Sequence, residues 1–408
     1  MMLKFKLRSL GLLLCVGLCG CQLFPRALPV PAEAPQQSEV YQPQFAKSAT
    51  EAAQALAQAR TQQRWPAFTA AVSWRGDLVW AAASGYADLE RQAPATIETQ
   101  FRVGSTSKAV TATAMARAVT RSELTMDTPI GQYKADLPNP AWQAMTLRQL
   151  MSHTAGMPAY AENTDWSGKL QSWLKWRRYT DVNEALGLFD DAKLLSAPGE
   201  RFHYSSFGTV LASAVLQSAT AQPFLSYLHA QVSEPLGLSS LAAAEQPHEQ
   251  QARFYETRGG VARLHRPVDL SQKWAGGGLA ASSVDLAKLG AAWLRPSFIA
   301  TPVRQDFWTP QRLADGRENE QSYALGWRHS NLQHLYCDRA HPLQSAVSYV
   351  HHGGVSDGAQ SLLIIYPQWD LVVAANINTQ TADWCEFARE VSQLTKPFLR
   401  QLAPDLLN

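Results

Sequence analysis

The sequence has almost no excess of charge of either sign. Among its 408 residues, 36 are Lys or Arg and 34 are Asp or Glu, which gives a formal net charge of +2. Three of the cations, Lys4, Lys6 and Arg8, lie near the N-terminus. A near-neutral chain with 17% charged residues lacks the basic surface that binds nucleic acid. Its hydrophobic content of 46% is enough for a sizeable core and argues against a disordered chain.

Metal-binding patterns are also absent from the sequence. It has no His-Glu-x-x-His segment and no pair of cysteines at zinc spacing. His351 and His352 are adjacent on a predicted strand, so their side chains are expected to point to opposite faces. Two such side chains cannot easily hold one ion together. We therefore predict a protein with no metal and no cofactor.

Long apolar runs are missing apart from one near the N-terminus. The run from Leu10 to Leu18 follows the basic residues and has the length of a signal-peptide core, which is short for a membrane span. It ends in Leu18-Cys19-Gly20-Cys21, which resembles the bacterial lipobox. Gln22 resembles the pattern of lipoproteins sorted to an outer membrane. An ordinary signal peptide that is cut nearby is the alternative.

These patterns predict how the N-terminal part is processed. We expect residues 1–20 to be a lipoprotein signal peptide, Cys21 to carry the lipid, and residues 21–47 to form an extended tether on the periplasmic face of the outer membrane. Of the five cysteines, only Cys337 and Cys385 then remain available for pairing. Sequence gives no distance between them, so a disulfide and two free buried thiols both stay open.

Hydrophobic periodicity predicts strands near both ends of the chain and a middle rich in helix. Ser48-Ala49-Thr50-Glu51 has capping-box spacing and predicts a helix to about Trp65. Further helices are predicted at 105–118 and 383–399, and strands at 68–74, 78–85, 346–350, 360–366 and 371–376. We expect an α/β (α+β) fold with an active site between two parts: a sheet domain of residues 48–125 plus 271–408, and a helical insert at 126–270.

Two Ser-x-x-Lys tetrads are candidate nucleophile motifs, one at Ser105 and Lys108 and one at Ser172 and Lys175. Ser105 follows a glycine and begins a helical run of small residues, where positions i and i+3 share a face. A helix N-terminus favours developing negative charge, and a desolvated lysine there can take a proton from serine. Ser172 lies in an amphipathic stretch with many tryptophans, where its polar neighbours indicate a solvated face. The first tetrad is therefore the predicted nucleophile.

The segment Gly354-Val355-Ser356-Asp357-Gly358 matches the Gly-x-Ser-x-Gly elbow of α/β-hydrolases. That elbow requires a helix after the serine and a histidine further along the chain. A strand is predicted after this serine, and no histidine follows His352. We therefore interpret the segment as a tight turn between two strands.

Several motifs occur in a characteristic order along the chain. They are Phe101 to Lys108, Thr146 to Gly156, Pro198 to Gly208, Ala275 to Leu279, Asp285 to Ala287, Tyr323 to Trp327, and His351 to Gly354. Together they resemble the serine β-lactamase-like hydrolases and penicillin-binding proteins over about residues 65–400. The similarity is nearest to the class C group and to a peptidase relative found in mitochondria. It implies an antiparallel sheet flanked by helices, with an inserted helical region.

The resemblance also implies roles for particular residues. Ser105 would attack a carbonyl and form an acyl-enzyme, Lys108 would accept its proton, and Tyr204 would relay protons to the leaving group. The backbone N–H groups of Ser105 and Gly354 would form the oxyanion hole. Further contacts with the substrate would come from Ser206, His351 and Gly353.

Two positions depart from the pattern of the antibiotic-hydrolysing members. Ser206 replaces an asparagine, and its hydroxyl lacks the amide that grips a substrate carbonyl. His351 replaces a lysine, and an ordinary histidine with a pKa of about 6.5 changes charge near neutral pH. We therefore expect peptide or ester hydrolysis rather than efficient β-lactam hydrolysis. We also expect that binding of a substrate carboxylate weakens as the pH rises past the pKa of His351.

The sequence thus predicts an envelope-anchored serine hydrolase. Its substrate would be a small peptide or ester, and peptide or amide bonds are favoured over ester bonds. The lipid anchor would also bind the protein to the membrane. Two alternatives stay open: an esterase that uses the same site, and a penicillin-recognising binding or sensor lipoprotein with little turnover. His153 is expected to be structural, because its motif lies away from the proton path.

Overall fold

The computed structural model describes residues 26–174, 178–331 and 348–404. The strands are β1 (Ala27–Pro29), β2 (Gln36–Val40), β3 (Ala67–Trp74), β4 (Asp77–Asp88), β5 (Ala93–Pro94), β6 (Phe101–Arg102), β7 (Ala242–Ala243), β8 (Tyr255–Arg258), β9 (Val261–Leu264), β10 (Leu279–Ala281), β11 (Arg328–Asn331), β12 (Ser348–Ser356), β13 (Ala359–Tyr366) and β14 (Leu371–Ile377). The helices are α1 (Ala46–Gln63), α2 (Ser107–Thr120), α3 (Leu147–Met151), α4 (Trp166–Leu174), α5 (Ser206–Thr220), α6 (Phe224–Leu228), α7 (Glu234–Leu236), α8 (Trp274–Gly277), α9 (Ser283–Ala292), α10 (Thr301–Trp308) and α11 (Trp384–Leu402).

One antiparallel sheet joins the two ends of the chain. Its strand order is β11-β12-β13-β14-β3-β4-β2, with β5 paired to β4. The pairing of β14 with β3 places Leu371 opposite Trp74. This arrangement confirms the predicted fold class, an antiparallel sheet flanked by helices.

Successive residues of the central strands pack against different helices. Val72 and Val373 belong to the core beneath α1 and α11, whereas Ala71 and Val372 belong to the core that includes α2, α5 and α9. The sheet is therefore covered on both faces. Strands β13 and β14 are buried along their whole length, which explains why their sequences are almost wholly apolar.

The first helix begins earlier than its predicted cap. Helix α1 starts at Ala46, and its N-cap residue Phe45 makes no side-chain capping bond. The Ser48 hydroxyl lies 3.1 Å from the carbonyl oxygen of Pro397 and 2.7 Å from Oε1 of Gln401. The predicted capping box was wrong, because this serine connects α1 to α11.

The described part of the predicted tether lies against the folded body. Strand β1 pairs with β9, and β2 pairs with β4 at the edge of the main sheet. Residues 36–40 therefore belong to the sheet, although the predicted sheet domain began at residue 48, and the prediction of a tether as far as residue 47 was wrong there. The predicted signal peptide at 1–20 and Cys21 lie outside the described residues. None of the helices in the described ranges is long and apolar enough to cross a membrane.

The predicted helical insert also contains strands. Strands β8 and β9 form a hairpin through Gly259 and Gly260, both with positive φ, and β1 extends this small sheet. Strand β7 pairs with β10, which pairs in turn with β6 just before Ser105. These strands were not predicted within the helix-rich insert at 126–270, because strands of two to four residues carry little periodicity.

Arg60 attaches the N-terminal segment to α1. Its buried guanidinium donates hydrogen bonds to the carbonyl oxygens of Ala32 at 2.8 Å, Pro31 at 2.5 Å and Trp65 at 3.0 Å. Burial lowers the pKa of this group, but arginine begins so high that it stays charged. The three bonds are therefore charge-assisted.

We expect Arg60→Met to lower the free energy of unfolding by about 3 kcal/mol, because bonds to a charged donor contribute about 1.5–3 kcal/mol each and water replaces part of this loss. Urea unfolding would measure the change, and limited proteolysis would show faster cleavage within residues 26–40. Lys47→Met is the matched control, since Lys47 is an exposed cation on the same helix. Equal midpoints for the two variants would contradict the role of Arg60.

Candidate active site

Ser105 lies in a 3-10 turn, Gly104–Thr106, between β6 and α2. Gly104 has a φ of +51°, and a Cβ atom there would lie 2.4 Å from the carbonyl oxygen of Val355. A glycine is therefore needed for β12 to approach the turn this closely. The serine is half-buried at the start of the helix, where the sequence predicts it.

Lys108 is fully buried beside this serine. Its Nζ lies 2.5 Å from the carbonyl oxygen of Gly276, 2.9 Å from Oγ of Ser206 and 3.4 Å from Oγ of Ser105. Burial lowers the pKa of the amine, and this effect outweighs the opposing influence of Tyr204. A lysine that loses its proton readily can accept one from a serine hydroxyl. The structure thus brings together the pair that the i, i+3 spacing predicts.

Tyr204 and Ser206 reach the lysine from the start of α5. The hydroxyl of Ser205 accepts from the N–H of Gly208 at 3.4 Å, which caps the helix. The Tyr204 ring then lies 4.8 Å from Nζ of Lys108, and its hydroxyl also interacts with that amine. The short side chain of Ser206 therefore contacts Lys108. It does not extend toward a substrate as the amide of an asparagine would.

The ladder between β11 and β12 fixes which backbone groups of β12 face the site. The N–H of His329 donates to the carbonyl oxygen of Ser322, away from β12. Because hydrogen-bonding directions alternate along a strand, Arg328 and its partner His351 form a hydrogen-bonded pair. His351 therefore turns its backbone polar groups toward β11. Gly353 and Val355 turn theirs to the same side of β12, beyond the last pair with β11.

The same alternation corrects the predicted oxyanion hole. The N–H of Gly354 points to β13, where Gly354 pairs with Ser361, so it is used within the sheet. The prediction that this N–H faces the nucleophile was wrong by one residue. The N–H of Val355 points away from β13, and its nitrogen would lie 2.7 Å from a Cβ atom on Gly104. Val355 and Ser105 are therefore the backbone donors that the geometry brings together.

Gly353 and Gly354 are both needed for close packing at this edge of β12. A Cβ atom on Gly354 would lie 1.9 Å from the carbonyl oxygen of Val103 and 2.9 Å from the nitrogen of Ser105. A Cβ atom on Gly353 would lie 2.4 Å from the ring of Trp384. The two glycines let the strand lie flat between the nucleophile turn and this tryptophan.

His351 does not carry a charge near neutral pH. Its Nε2 lies 3.1 Å from Oγ of Ser330, and its ring packs 5.4 Å from that of Tyr349. Burial lowers its pKa to about 3, and the charge of Arg328 adds to this effect. The expectation that carboxylate binding weakens with pH through this histidine was therefore wrong, because the ring is neutral over the whole physiological range.

Arg328 provides a positive charge in the site, and sequence reasoning missed it. It lies beside His351 on β11, above the rings of Tyr204 at 5.6 Å and Tyr323 at 5.2 Å. Its guanidinium also donates to the side chain of Gln321. Arginine stays charged at any physiological pH. The motif that ends at Trp327 is immediately followed by this residue, which was the signal that could have identified it.

His352 is buried at the wall of the cleft. Its Nε2 lies 2.8 Å from the Tyr323 hydroxyl, and its Nδ1 lies 2.8 Å from the carbonyl oxygen of Gly353. Because a carbonyl only accepts, the network assigns the proton to Nδ1, and the tyrosine donates to Nε2. Burial holds the pKa of the ring well below its usual range. His351 and His352 have different partners, as their alternation on the strand predicts.

His153 lies behind Tyr204, in a turn with a φ of +61°. Its Nδ1 accepts from the N–H of Ser205 at 3.3 Å, and its ring packs 4.3 Å from the ring of Tyr204 and 4.5 Å from that of Tyr323. These contacts help to position the ring of Tyr204, the predicted proton relay. That His153 is structural stays a prediction.

Several of these groups line a cleft of about 260 Å³. Its lining residues are Ser105, Tyr204, Arg328, His351, His352, Gly353, Gly354, Val355 and Trp384. Sequence reasoning missed Trp384 as well, since a tryptophan at the start of a closing helix carries no sign of a site. Within the described ranges, no group of three His, Cys, Asp or Glu side chains could hold a metal ion.

The remaining sequence candidates lie elsewhere. The predicted turn is confirmed: β12 ends at Ser356, and Asp357 and Gly358 turn the chain into β13. In the second tetrad, Lys175 lies outside the described residues. Cys385 is disulfide-bonded, whereas Cys337 lies outside the described residues, so their pairing stays a prediction.

The chain matches the family model named Beta-lactamase over residues 52–394. It belongs to the β-lactamase family. The human serine beta-lactamase-like protein LACTB, a mitochondrial protein, is 24% identical over 384 residues, which cover 74% of this chain and 69% of that relative. The resemblance that the motifs predict is confirmed.

Two solved structures share the fold over most of both chains. One is D-amino acid amidase from Ochrobactrum anthropi, with a TM-score of 0.69, 18% identity, and coverage of 86% of this chain and 99% of that one. The other is EstCE1, a hydrolase with promiscuous acyltransferase activity, with a TM-score of 0.71, 19% identity, and coverage of 86% and 99%. At these identities the likeness concerns the fold.

The state of Lys108 predicts a pH profile. Because burial lowers its pKa from the ordinary 10.5, the neutral amine forms at lower pH than in water. The rate of labelling of Ser105 by a fluorophosphonate should rise with pH as Lys108 loses its proton, and should then level off. Lys108→Arg keeps the proton at every pH and should lower the rate by about 10²–10⁴-fold. Circular dichroism would verify its fold, and labelling of the folded variant at the parent rate would refute a base at this position.

Proposed function

We propose that this member of the β-lactamase family is a serine hydrolase that cleaves amide or peptide bonds through an acyl-enzyme. The observation that carries the proposal is the buried amine of Lys108, 3.4 Å from the Ser105 hydroxyl at the wall of an open cleft. A buried lysine is costly to keep unless its altered proton affinity is used. In this site the buried lysine lies next to Ser105, which is partly exposed.

Acylation follows from this geometry. Oγ of Ser105 attacks the substrate carbonyl carbon while Nζ of Lys108 takes the hydroxyl proton. The N–H groups of Ser105 and Val355 hold the oxygen as negative charge develops on it. The C–N bond then breaks, and the leaving nitrogen receives the proton from Lys108 by way of the Tyr204 hydroxyl. The acyl group remains as an ester on Ser105.

Deacylation uses the same groups in reverse. A water molecule attacks the ester carbonyl and gives a proton to the pair formed by Tyr204 and Lys108. The oxygen is held by the same two N–H groups. When the ester bond breaks, Oγ of Ser105 recovers a proton and the free acid leaves.

One feature favours an ordinary amide over a β-lactam, and a second indicates which group the leaving part of the substrate carries. The Ser206 hydroxyl lies 2.9 Å from Lys108 and presents no amide to the substrate. The fixed cation of the cleft is Arg328, on the same side as Tyr204, where the leaving group departs. A guanidinium there can hold a carboxylate through two parallel bonds. The substrate we propose is a short peptide whose leaving part ends in a free carboxylate.

Labelling with a fluorophosphonate tests the nucleophile directly. Intact-mass analysis should show one adduct on the parent protein and none on Ser105→Ala, because the attacking oxygen is gone. Ser172→Ala, in the second Ser-x-x-Lys tetrad, is the matched control and should label like the parent. An adduct that persists in folded Ser105→Ala would disprove the assignment.

An esterase that uses the same site remains the second candidate. The exposed Val355 and the Trp384 ring give the cleft an apolar wall that suits a short acyl ester. Comparing kcat/KM for matched amide and ester substrates would decide between them. An adduct without turnover of either substrate would favour the binding or sensor alternative.

Arg328 should set the preference for a free carboxylate. In Arg328→Met we expect KM to rise about tenfold or more for a peptide with a free C-terminal carboxylate, because a charge-assisted bond of about 1.5–3 kcal/mol is lost. The amidated peptide should be unaffected, and Arg328→Lys should retain part of the preference. His351→Gln is the control, since its histidine is already neutral. Equal effects on both peptides would contradict this role.

We also propose that the protein is anchored to the bacterial envelope by a lipid on Cys21. The proposal rests on the order of basic, apolar and small residues before that cysteine. Cys21→Ser should move the protein from the detergent phase to the aqueous phase, or leave it unprocessed. Unchanged partitioning with normal processing would exclude this anchor.

A further inference from the structure

The short helix α4 turns apolar side chains toward solvent. Within residues 166–171, Gly168 is the one buried residue. A Cβ atom on Gly168 would lie 1.9 Å from the carbonyl oxygen of Leu188, so this glycine is the point at which α4 meets the body of the protein. With about 3.6 residues per turn, Trp166 and Leu170 lie on the opposite side of the helix from Gly168. We call this side the outer face of α4.

The apolar side chains of the outer face are well exposed. Trp166 is 76% exposed and Leu170 is 42% exposed. The two residues are four positions apart on the helix, so their side chains adjoin and form one apolar strip. An amphipathic helix on a water-soluble protein normally turns such a strip toward the core. On α4 the orientation is reversed, which points to a contact that covers the strip.

Positive charge accompanies the outer face. Lys169 is exposed beside it, and in the sequence residues 166–178 contain four cations and no acidic residue. The N–H of Lys193 donates to the Thr164 hydroxyl at 2.8 Å, which brings the adjoining loop to the start of the helix. On that loop the exposed charges of Lys193 and Asp191 offset each other. The net charge around α4 is therefore positive.

The acidic groups that precede the helix have partners of their own. Asp165 is buried, and it accepts from the Ser167 hydroxyl at 2.9 Å and from the N–H of Gly168 at 2.8 Å. Glu162 pairs with His203. These carboxylates are therefore engaged within the body of the protein and leave the positive charge of the helix in place.

A bilayer surface fits these features better than a protein partner does. Tryptophan is enriched at the boundary between headgroups and hydrocarbon, because its ring is apolar and its N–H is polar. Lysine is depleted in protein interfaces, whereas at a membrane its stem lies along the apolar layer and its amine reaches anionic headgroups. Tyr160, another exposed aromatic residue, lines the same cavity beside α4 as Lys169. A helix of nine residues is about 14 Å long, which suits a helix that lies in this boundary.

We propose that the outer face of α4 binds the surface of a phospholipid bilayer that contains anionic lipids. The side chains of Trp166 and Leu170 enter the boundary below the headgroups, and Lys169 contacts the lipid phosphates. The helix lies parallel to the membrane plane, with Gly168 toward the protein. This inference goes beyond the proposed function, since it involves neither the nucleophile nor a lipid on Cys21.

Sedimentation with vesicles tests the contact on the chain 22–408, which keeps every described residue and lacks the cysteine proposed to carry lipid. It should bind vesicles of phosphatidylcholine mixed with phosphatidylglycerol, and bind phosphatidylcholine vesicles more weakly. Binding to the mixed vesicles should fall as salt is added, because salt screens exposed charges. In Trp166→Ser/Leu170→Ser the partition coefficient should fall at least about tenfold, since burial of the apolar strip is lost.

Further variants separate the apolar contribution from the electrostatic one. Lys169→Gln should weaken binding to the mixed vesicles about fivefold, as expected for one cation near an anionic surface, and leave binding to phosphatidylcholine unchanged. Trp166→Phe/Leu170→Ile should retain most of the binding. Val40→Ser is the matched control and should change nothing, because Val40 is 43% exposed on β2 at the edge of the main sheet.

The possible results distinguish the bilayer from other occupants of the outer face. Circular dichroism would verify that each variant is folded. A parent chain that does not bind the mixed vesicles, or equal binding by folded Trp166→Ser/Leu170→Ser, would overturn the proposal. Self-association of the parent that this double variant abolishes, without vesicle binding, would assign the face to a second copy of the chain instead. Failure of fluorophosphonate labelling at Ser105 would refute the proposed function alone, since the vesicle experiment does not depend on it.

Discussion

Removal of the Lys108 amine from water is the constraint on which the arrangement of the site depends. A charged ammonium is costly to bury, so its burial lowers the pKa and makes the amine a proton acceptor. The surrounding residues must then be small enough to enclose it. A Cβ atom on Gly276 would lie 3.1 Å from the side chain of Ser206, so α8 and α5 meet closely around the lysine. Thr111, one turn further along α2, donates to the carbonyl oxygen of Ala275 at 2.9 Å and holds α8 in place.

The second requirement is a strand edge with free backbone donors. Strand β11 pairs with β12 only as far as His351, so beyond this point β12 has one side that no described strand occupies. The N–H of Val355 falls on that side. Glycines at positions 104 and 354 let the nucleophile turn approach it, since any side chain would collide with backbone atoms. The convergence of the N–H groups of Val355 and Ser105 is thus a consequence of where one strand stops and its neighbour continues.

Charge in the cleft follows from burial rather than from residue type alone. Burial and the nearby guanidinium of Arg328 hold the pKa of His351 at about 3. Arginine is charged throughout the physiological range, and Arg328 lies beside His351 on β11. The cation therefore comes from the neighbouring strand. A substrate carboxylate bound there would keep its affinity across physiological pH.

Local features could be predicted from the sequence, and the structure bears out several of them. Ser105 and Lys108 are one helical turn apart, so their proximity depends on α2 alone. Neighbouring residues alone also determine the turn at Asp357 and Gly358 and the buried strands β13 and β14. Their local sequence patterns therefore predicted these elements. The order of motifs along the chain likewise indicated the family.

Other features depended on contacts between distant parts of the chain. The register of β12 against β11 made Val355 rather than Gly354 the donor, and a shift of one residue cannot be read from two adjacent glycines. Arg328 lies on β11 and Trp384 lies on α11. Only the folded sheet brings these two distant elements to the same cleft. By itself, then, the sequence determined the family and the pairing of Ser105 with Lys108, which we propose as nucleophile and base. The tertiary structure decided which backbone N–H of β12 faces Ser105, where the cation of the cleft comes from and how the histidines are protonated, because strand pairing and desolvation act between residues that are far apart along the chain.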